Sequence, residues 1–166
     1  WEYVGDNDGV ADSFTIKDFG TTDYYDIIIN DTGTPPETYG INANLVVAND
    51  FTMLDGTYQD TGASHTIDIN GDLTLTTDQP YFAHTQATVF LAGNYIGNNN
   101  STCAQIYHLN LDGIDQTVDY GHCLVVVQLT KADTLNNSYS PTLTFKGVST
   151  TSSDLLSVGT ALNLDG

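Results

Sequence analysis

The chain has 166 residues, which suits one domain with a sizeable core and is too short for two ordinary ones. The chain is strongly acidic. It contains 21 acidic residues, three lysines and no arginine, which gives a formal net charge of −18. Nucleic acids and anionic membrane surfaces are bound through clustered Lys and Arg, so neither is an expected partner. We expect a single domain spanning 1–166.

The composition favours strands and turns over helices. Asp, Asn, Thr, Gly, Tyr and β-branched apolar residues are abundant, whereas charged helix-forming residues are nearly missing. No segment repeats apolar residues at helical spacing over ten residues or more. No apolar run approaches the roughly 18 residues of a membrane-spanning helix. The sequence predicts an all-β protein without membrane insertion.

The strand candidates are short and are separated by Gly, Pro, Asn and Asp. In chain order they span 12–19, 24–30, 45–53, 65–75, 87–95, 105–111, 124–130, 142–145 and 161–164. Residues 1–20 contain the acidic, calcium-loop-like run and form a separate N-terminal segment. The repeats described next lie within 24–166.

Internal repetition is the most informative pattern. The segments 45–52, 67–74 and 89–96 align at a constant step of 22 residues. Each reads apolar, any residue, apolar, then a small or polar pair followed by Asp or Asn, then apolar again. A second similarity relates 25–31 to 107–113. The letters of Leu109 to Gly113 also recur at 162–166.

Strand-and-turn repeats of this length are typical of a β-solenoid, in which each coil returns its strands above those of the previous coil. The sequence therefore predicts a parallel β-solenoid with about 22 residues per coil. An antiparallel β-sandwich with a donated strand is the alternative, because alternating strands and Asn-Gly or Asp-Gly turns produce a similar pattern.

The runs 25–31, 49–58, 69–75 and 142–147 resemble the degenerate repeats of bacterial surface and adhesin-type β-solenoid proteins. Those repeats cycle through an apolar strand, a Gly or Asn turn and a Thr-rich strand. The resemblance implies an architectural role outside the cell, with no catalytic residues to carry over. Pro35-Pro36 and the stretch 98–123 depart from the pattern, so we expect extra loops there.

The run Asp6-Asn7-Asp8-Gly9-Val10-Ala11-Asp12 resembles the acidic calcium loops of thrombospondin type 3 repeats. Calcium takes six to eight oxygen ligands, and alternating Asp followed by Gly lets a tight turn present several carboxylates. The resemblance implies calcium bound by Asp6, Asp8 and Asp12. The full pattern has an earlier Asp where this chain has Val4, so one ligand is missing. An acidic turn without metal is the alternative.

Two features indicate an extracellular or cell-surface location. Cys103 and Cys123 lie 20 residues apart, close to one repeat, which would place them on adjacent coils within reach of a disulfide. Two buried free thiols are the alternative. N-glycosylation patterns begin in loop-like stretches at Asn30, Asn99, Asn100 and Asn136.

We do not expect an enzyme. Polysaccharide lyases with a parallel β-helix need Lys or Arg beside the substrate, and Lys17, Lys131 and Lys146 lie far apart in the sequence. The four histidines show neither metal-ligand spacing nor a nucleophile motif. A pair of catalytic Asp residues, as glycoside hydrolases use, stays an open alternative, because Asp is abundant throughout the chain.

The expected function is that of a structural protein, a subunit or repeat segment of a surface filament or adhesin stalk. It would bind copies of itself through its termini, with Trp1 and Tyr3 at one end and Leu162 and Leu164 at the other. The alternative is a calcium-dependent carbohydrate-binding module that binds glycans through some of its ten tyrosines.

Overall fold

The computed structural model of the chain describes residues 1–6, 8–60, 64–76, 81–97, 103–121, 123–131, 142–146 and 155–164. Every named element in these ranges is a β-strand, so the all-β prediction is confirmed. The described part of the chain contains no helix with the length and apolar character to cross a membrane.

Twelve of the strands have two to five residues, and four that start at or after residue 81 have eight to eleven. They are β1 (Glu2–Tyr3), β2 (Ser13–Ile16), β3 (Ile27–Asn30), β4 (Thr38–Ile41), β5 (Leu45–Val47), β6 (Phe51–Asp55), β7 (Thr57–Gln59), β8 (Ile67–Ile69), β9 (Leu73–Leu75), β10 (Tyr81–Leu91), β11 (Tyr95–Ile96), β12 (Ala104–Leu111), β13 (Gln116–Asp119), β14 (Cys123–Lys131), β15 (Leu143–Lys146) and β16 (Leu155–Leu164).

The described strands pair only in parallel. One sheet has the order β1-β3-β6-β9-β11-β13-β15. The other runs β2-β4-β7-β10-β12-β14-β16, with β5 and β8 stacked beneath the C-terminal half of β10. Because the chain visits these strands in the same order in each coil, it winds as a parallel β-solenoid with about 22 residues per turn.

The register confirms the 22-residue alignment. Leu45 pairs with Ile67, which pairs with Val89. On the other sheet, Phe51 and Tyr95 both pair with Leu73. The predicted solenoid is therefore confirmed, and the antiparallel sandwich is wrong.

The two longer-range similarities have different outcomes. Leu109 and Leu162 both pair with Leu129, so the repeated letters occupy one column of the second sheet. The similarity of 25–31 to 107–113 is misleading, because Ile27 to Asn30 belongs to the first sheet. Both segments alternate apolar and polar residues, and this alternation does not distinguish one sheet of a solenoid from another.

The strand predictions fail mainly at corners. The candidates 45–53, 65–75 and 87–95 each run through a polar corner that ends one strand and starts the next on another sheet. The sequence analysis also missed β4, β7 and β13. Each of these has three or four residues and lies among Thr, Gly and polar neighbours, so its apolar signal is weak.

The core is a set of stacked columns inside the coils. Phe51, Leu73, Tyr95 and Val118 are fully buried and follow one another in register along the first sheet. Each inward side chain thus packs on its counterparts in the coils above and below. Burial alternates along the strands, as expected for a sheet with one face inside.

Leu73→Ala tests the stacked core. The substitution removes a fully buried side chain between Phe51 and Tyr95, and we expect it to lower the free energy of unfolding by about 2–5 kcal/mol. Urea denaturation followed by circular dichroism measures the loss. Thr74→Ala, on the less buried outward face of the same strand, is the matched control and should change stability much less. Equal losses in the two variants would contradict this core.

Candidate functional site

A column of Asp and Asn side chains joins the coils at the corner that leads into the first sheet. Asp26 Oδ1 accepts the main-chain N–H of Asp50 at 3.2 Å. Asp50 Oδ1 accepts that of Asp72 at 2.8 Å, and Asp72 Oδ1 accepts that of Asn94 at 2.6 Å. Asn94 Oδ1 in turn accepts the N–H of Thr117 at 2.9 Å. We call Asp26, Asp50, Asp72 and Asn94 the acceptor column.

Close approach of the coils at this corner accounts for two glycines. The Gly71 N–H donates to Asn49 O at 2.7 Å, and the Gly93 N–H donates to Gly71 O at 2.9 Å. A Cβ at Gly93 would lie 2.3 Å from Gly71 O, so only glycine fits without movement of the backbone. The three small or polar residues at 48–50, 70–72 and 92–94 therefore form a structural corner in each repeat.

The predicted disulfide between Cys103 and Cys123 is present, with the two Cα atoms 4.5 Å apart. The residues that follow, Ala104 and Leu124, pair in register between β12 and β14. The bond thus links adjacent coils, as the spacing of 20 residues indicated.

The predicted metal ligands come together in the loop between β1 and β2. Asp6, Asp8 and Asp12 are exposed, and one carboxylate oxygen from each lies within 4.8 Å of the others. The Asp8 N–H donates to Asp6 Oδ1 at 3.2 Å, and the Val10 N–H donates to Asp8 Oδ1 at 2.8 Å. We call these three residues the acidic loop. Its occupation by calcium stays a prediction.

Two carboxylates that the sequence analysis did not select lie next to this loop. Asp31 is 0% exposed and Glu37 is 1% exposed. Asp31 accepts the N–H groups of Gly33, at 2.9 Å, and of Glu37. Glu37 Oε2 accepts the N–H of Asp12. We call Asp31 and Glu37 the buried pair. The only local signal was the interruption at Pro35-Pro36, which indicated a loop and said nothing of burial.

The first coil presents aromatic side chains at one end of the solenoid. Trp1 is 69% exposed and contacts Tyr24 edge to face, with the ring centroids 6.3 Å apart. The hydroxyls of Tyr3 and Tyr24 are hydrogen-bonded at 2.6 Å. Phe14 stacks on Tyr39 at 5.7 Å. Within the described ranges β1 pairs only with β3, and β2 only with β4. This end therefore combines unpaired strand edges with exposed rings.

The other predicted interface residues lie on β16, at the far end of the sheet order. Leu162 pairs with Leu129, and Leu164 pairs with Lys131. The four residues proposed for assembly are thus divided between the two ends of the solenoid, two at each end.

Only one of the predicted glycosylation sites can be compared with the structure. Asn30 is the last residue of β3, not a loop residue as expected, and its Nδ2 donates to Glu2 Oε1 at 2.8 Å. Asn99, Asn100 and Asn136 lie outside the described residues.

His84 is a buried titratable group in the core. It is 0% exposed, and its Nδ1 lies 3.2 Å from the hydroxyl of Tyr58. Burial lowers the pKa of His84, because the charged imidazolium would be removed from water. The neutral ring is thus the form that the folded protein favours. Apart from the acidic loop, the described residues contain no group of three His, Cys, Asp or Glu close enough to share a metal ion.

The chain matches no protein-family model, no curated protein and no solved structure. The parallel solenoid itself defines the structural class of the protein.

Asp72→Ala tests the acceptor column. The change removes the acceptor of the Asn94 N–H, and we expect a loss of about 1–3 kcal/mol in the free energy of unfolding. Asp72→Asn keeps an oxygen at this place and should lose much less. Chemical denaturation of the two variants measures the difference. Equal losses of stability in Asp72→Ala and Asp72→Asn would contradict the prediction, because the corner would then require the negative charge of Asp72 and not its hydrogen bond.

The buried His84 predicts a loss of stability in mild acid. Below pH of about 6.5 the unfolded chain takes up a proton at His84 that the folded chain resists, so unfolding becomes more favourable as the pH falls. We expect the melting temperature to drop between pH 7.5 and pH 5.5, before most carboxylates titrate. The drop should be smaller in His84→Gln. Parallel pH profiles of the two proteins would argue against a neutral buried ring.

Proposed function

We propose that the protein is an extracellular structural protein, a subunit or repeat segment of a surface filament or adhesin stalk, that binds copies of itself end to end. The observation that carries the proposal is the first coil, where the edges of β1 and β2 are unpaired in the described structure and aromatic side chains are exposed. An unpaired strand edge is a template for another chain.

The parallel winding fixes how two copies would meet. The first coil lies at one end of both sheets, and β15 and β16 lie at the other. These ends differ in sequence, so a contact between them joins unlike surfaces. Such a head-to-tail contact does not close on itself unless the rotation allows a ring, and it extends into a filament. The fold is compatible with this architectural role, which requires no catalytic residue.

Several features support a location outside the cell. The disulfide between adjacent coils is a bond that oxidising compartments favour. The net charge of −18 favours solubility, and an acidic, Lys-poor surface fits a secreted protein. The resemblance of the repeats to bacterial adhesin-type solenoids points the same way, and glycosylation at the sequence-predicted asparagines belongs to the same proposal.

A second candidate is a calcium-dependent carbohydrate-binding module. The exposed rings of Trp1 and Tyr25 favour it, since Tyr25 is 71% exposed and flat aromatic faces bind sugar rings. A module of this kind would stay monomeric and bind glycans, and a filament subunit would assemble without them.

Trp1→Ser tests end-to-end assembly. If Trp1 packs in the contact, its removal should raise the protein concentration needed for assembly about tenfold or more, because a buried aromatic anchor contributes strongly to an interface. Analytical ultracentrifugation gives this threshold, and electron microscopy shows the filaments. Ile96→Ser changes a 37% exposed apolar side chain on β11, a strand with neighbours on both sides, and should leave assembly unchanged. A wild-type chain that stays monomeric at high concentration contradicts the proposal, and glycan binding would then favour the second candidate.

A further inference from the structure

One column of outward-facing residues runs along the whole first sheet, from β1 to β15. Glu2 begins it, one residue each of β3, β6, β9 and β11 continues it in register, and Asp119 and Lys146 end it. Ile96, Asp119 and Lys146 line one surface hollow, so these members share a face. We call this series the outer column. It starts with one of the two glutamates of the chain and ends with one of the three lysines.

The two charged ends of the outer column form no ion pair within the described part of the chain. Glu2 is exposed, and its Oε1 accepts a hydrogen bond from Asn30 Nδ2 at 2.8 Å. Lys146 is also exposed and pairs in register with Asp119 on the neighbouring strand. The free edge of β1 therefore carries a negative charge, and the free edge of β15 carries a positive one.

The buried column of the same sheet has an uncovered aromatic ring at each end. Beyond Val118 it continues to Phe145, which pairs with Val118 and is 39% exposed. At the other end the Ile28 N–H donates to Trp1 O at 2.8 Å, which places Trp1 beside Ile27, a buried member of the column. Both rings thus occupy core positions that no further coil of the described chain covers.

The second sheet ends in the same two coils. Its order begins at β2 and finishes at β16, as the first sheet begins at β1 and finishes at β15. Because the strands pair in parallel throughout, one displacement along the axis would bring both starting strands of one copy to both final strands of another. A second copy can therefore continue both sheets at once.

We propose that a second copy of the chain pairs its β1 in parallel with β15, in the register that sets Glu2 beside Lys146 and Trp1 beside Phe145. This inference rests on the proposed end-to-end assembly and specifies its register. Lys146 then lies between two carboxylates, Asp119 of its own chain and Glu2 of the next copy. Neighbouring strands are about 4.8 Å apart, so the ammonium reaches both.

Charge distinguishes this contact from its competitors. A slip of two residues keeps the same faces together, but it would set Glu2 beside Thr144 and Lys146 beside the exposed, apolar Val4. A head-to-head contact between two first coils would bring two Glu2 carboxylates to one interface without the lysine. Opposite charges on adjacent strands attract and like charges repel, so the proposed register is favoured over both.

Charge exchange tests the register, with the assembly threshold measured by analytical ultracentrifugation at one fixed ionic strength. Glu2→Lys makes the chain less negative, which lowers the general repulsion between copies, yet it sets two lysines side by side at the contact. We therefore expect the threshold to rise about fivefold. Lys146→Glu should raise it by a similar factor.

The double variant, Glu2→Lys with Lys146→Glu, is the matched control. It has the wild-type net charge and restores opposite charges at the contact, so it should recover most of the loss. Losses that add in the double variant would overturn the proposal. Circular dichroism melting of each variant checks that folding is unchanged.

A disulfide between copies reads the register directly and does not depend on charge. With Glu2→Cys and Lys146→Cys in one chain, the proposed register brings the two Cα atoms to a spacing that a disulfide spans. Mild oxidation should then give a ladder of covalent oligomers on non-reducing gels. Glu2→Cys with Thr144→Cys reports the two-residue slip and should give few. Equal or stronger crosslinking at Thr144 would overturn the proposed register.

The same measurements separate this inference from the proposed function. Wild-type filaments whose threshold ignores both charge reversals would reject only the register. A wild-type chain that stays monomeric at high concentration would reject the proposed function and the register together.

Discussion

The hydrogen bonds of the acceptor column set the register on which the rest of the solenoid depends. Parallel strands of alternating apolar residues can slip by two residues and still bury the same face. A side-chain oxygen that must reach one particular N–H in the next coil removes this freedom, as Asp50 does for Asp72 and Asp72 for Asn94. With the corner fixed, the inward side chains of successive coils meet in columns.

Hydrogen bonds of the same kind explain why an acidic chain can fold with few cations. Asp side chains here serve as acceptors for main-chain N–H groups, which carry partial positive charge. Asp23 does this for the N–H groups of Val46, Phe19 and Gly20, at 2.7, 2.6 and 2.9 Å. Backbone amides therefore replace lysine and arginine as partners of the carboxylates. The carboxylates of Asp23, Asp50 and Asp72 thus have a structural role in the fold.

The sequence predicted the middle coils well because the constraint there repeats. One three-residue polar corner recurs every 22 residues, and its period is the period of the fold. Prediction failed where a residue's role depends on stacking. Asp31 and Glu37 are ordinary polar residues of a Pro-containing loop in the sequence, and the neighbours that cover Asp31 come from other coils, Gly5 on one side and Gly56 on the other. The acidic loop was found because its pattern is local, and the buried pair was missed because its contact to Asp12 spans 25 residues.

The first coil differs from the middle coils in what stabilises it. Its strands β1 and β2 have neighbours on one side only in the described structure, and the loop between them contains the acidic residues. A cation in that loop would fix the two edge strands relative to each other before any partner arrives. Fixing an interface in advance reduces the entropy lost on association, so a bound ion would favour assembly. By thermodynamic reciprocity, assembly would favour the bound ion to the same degree. Calcium in the acidic loop and the proposed filament contact would thus be coupled through the placement of β1 and β2, although neither requires the other.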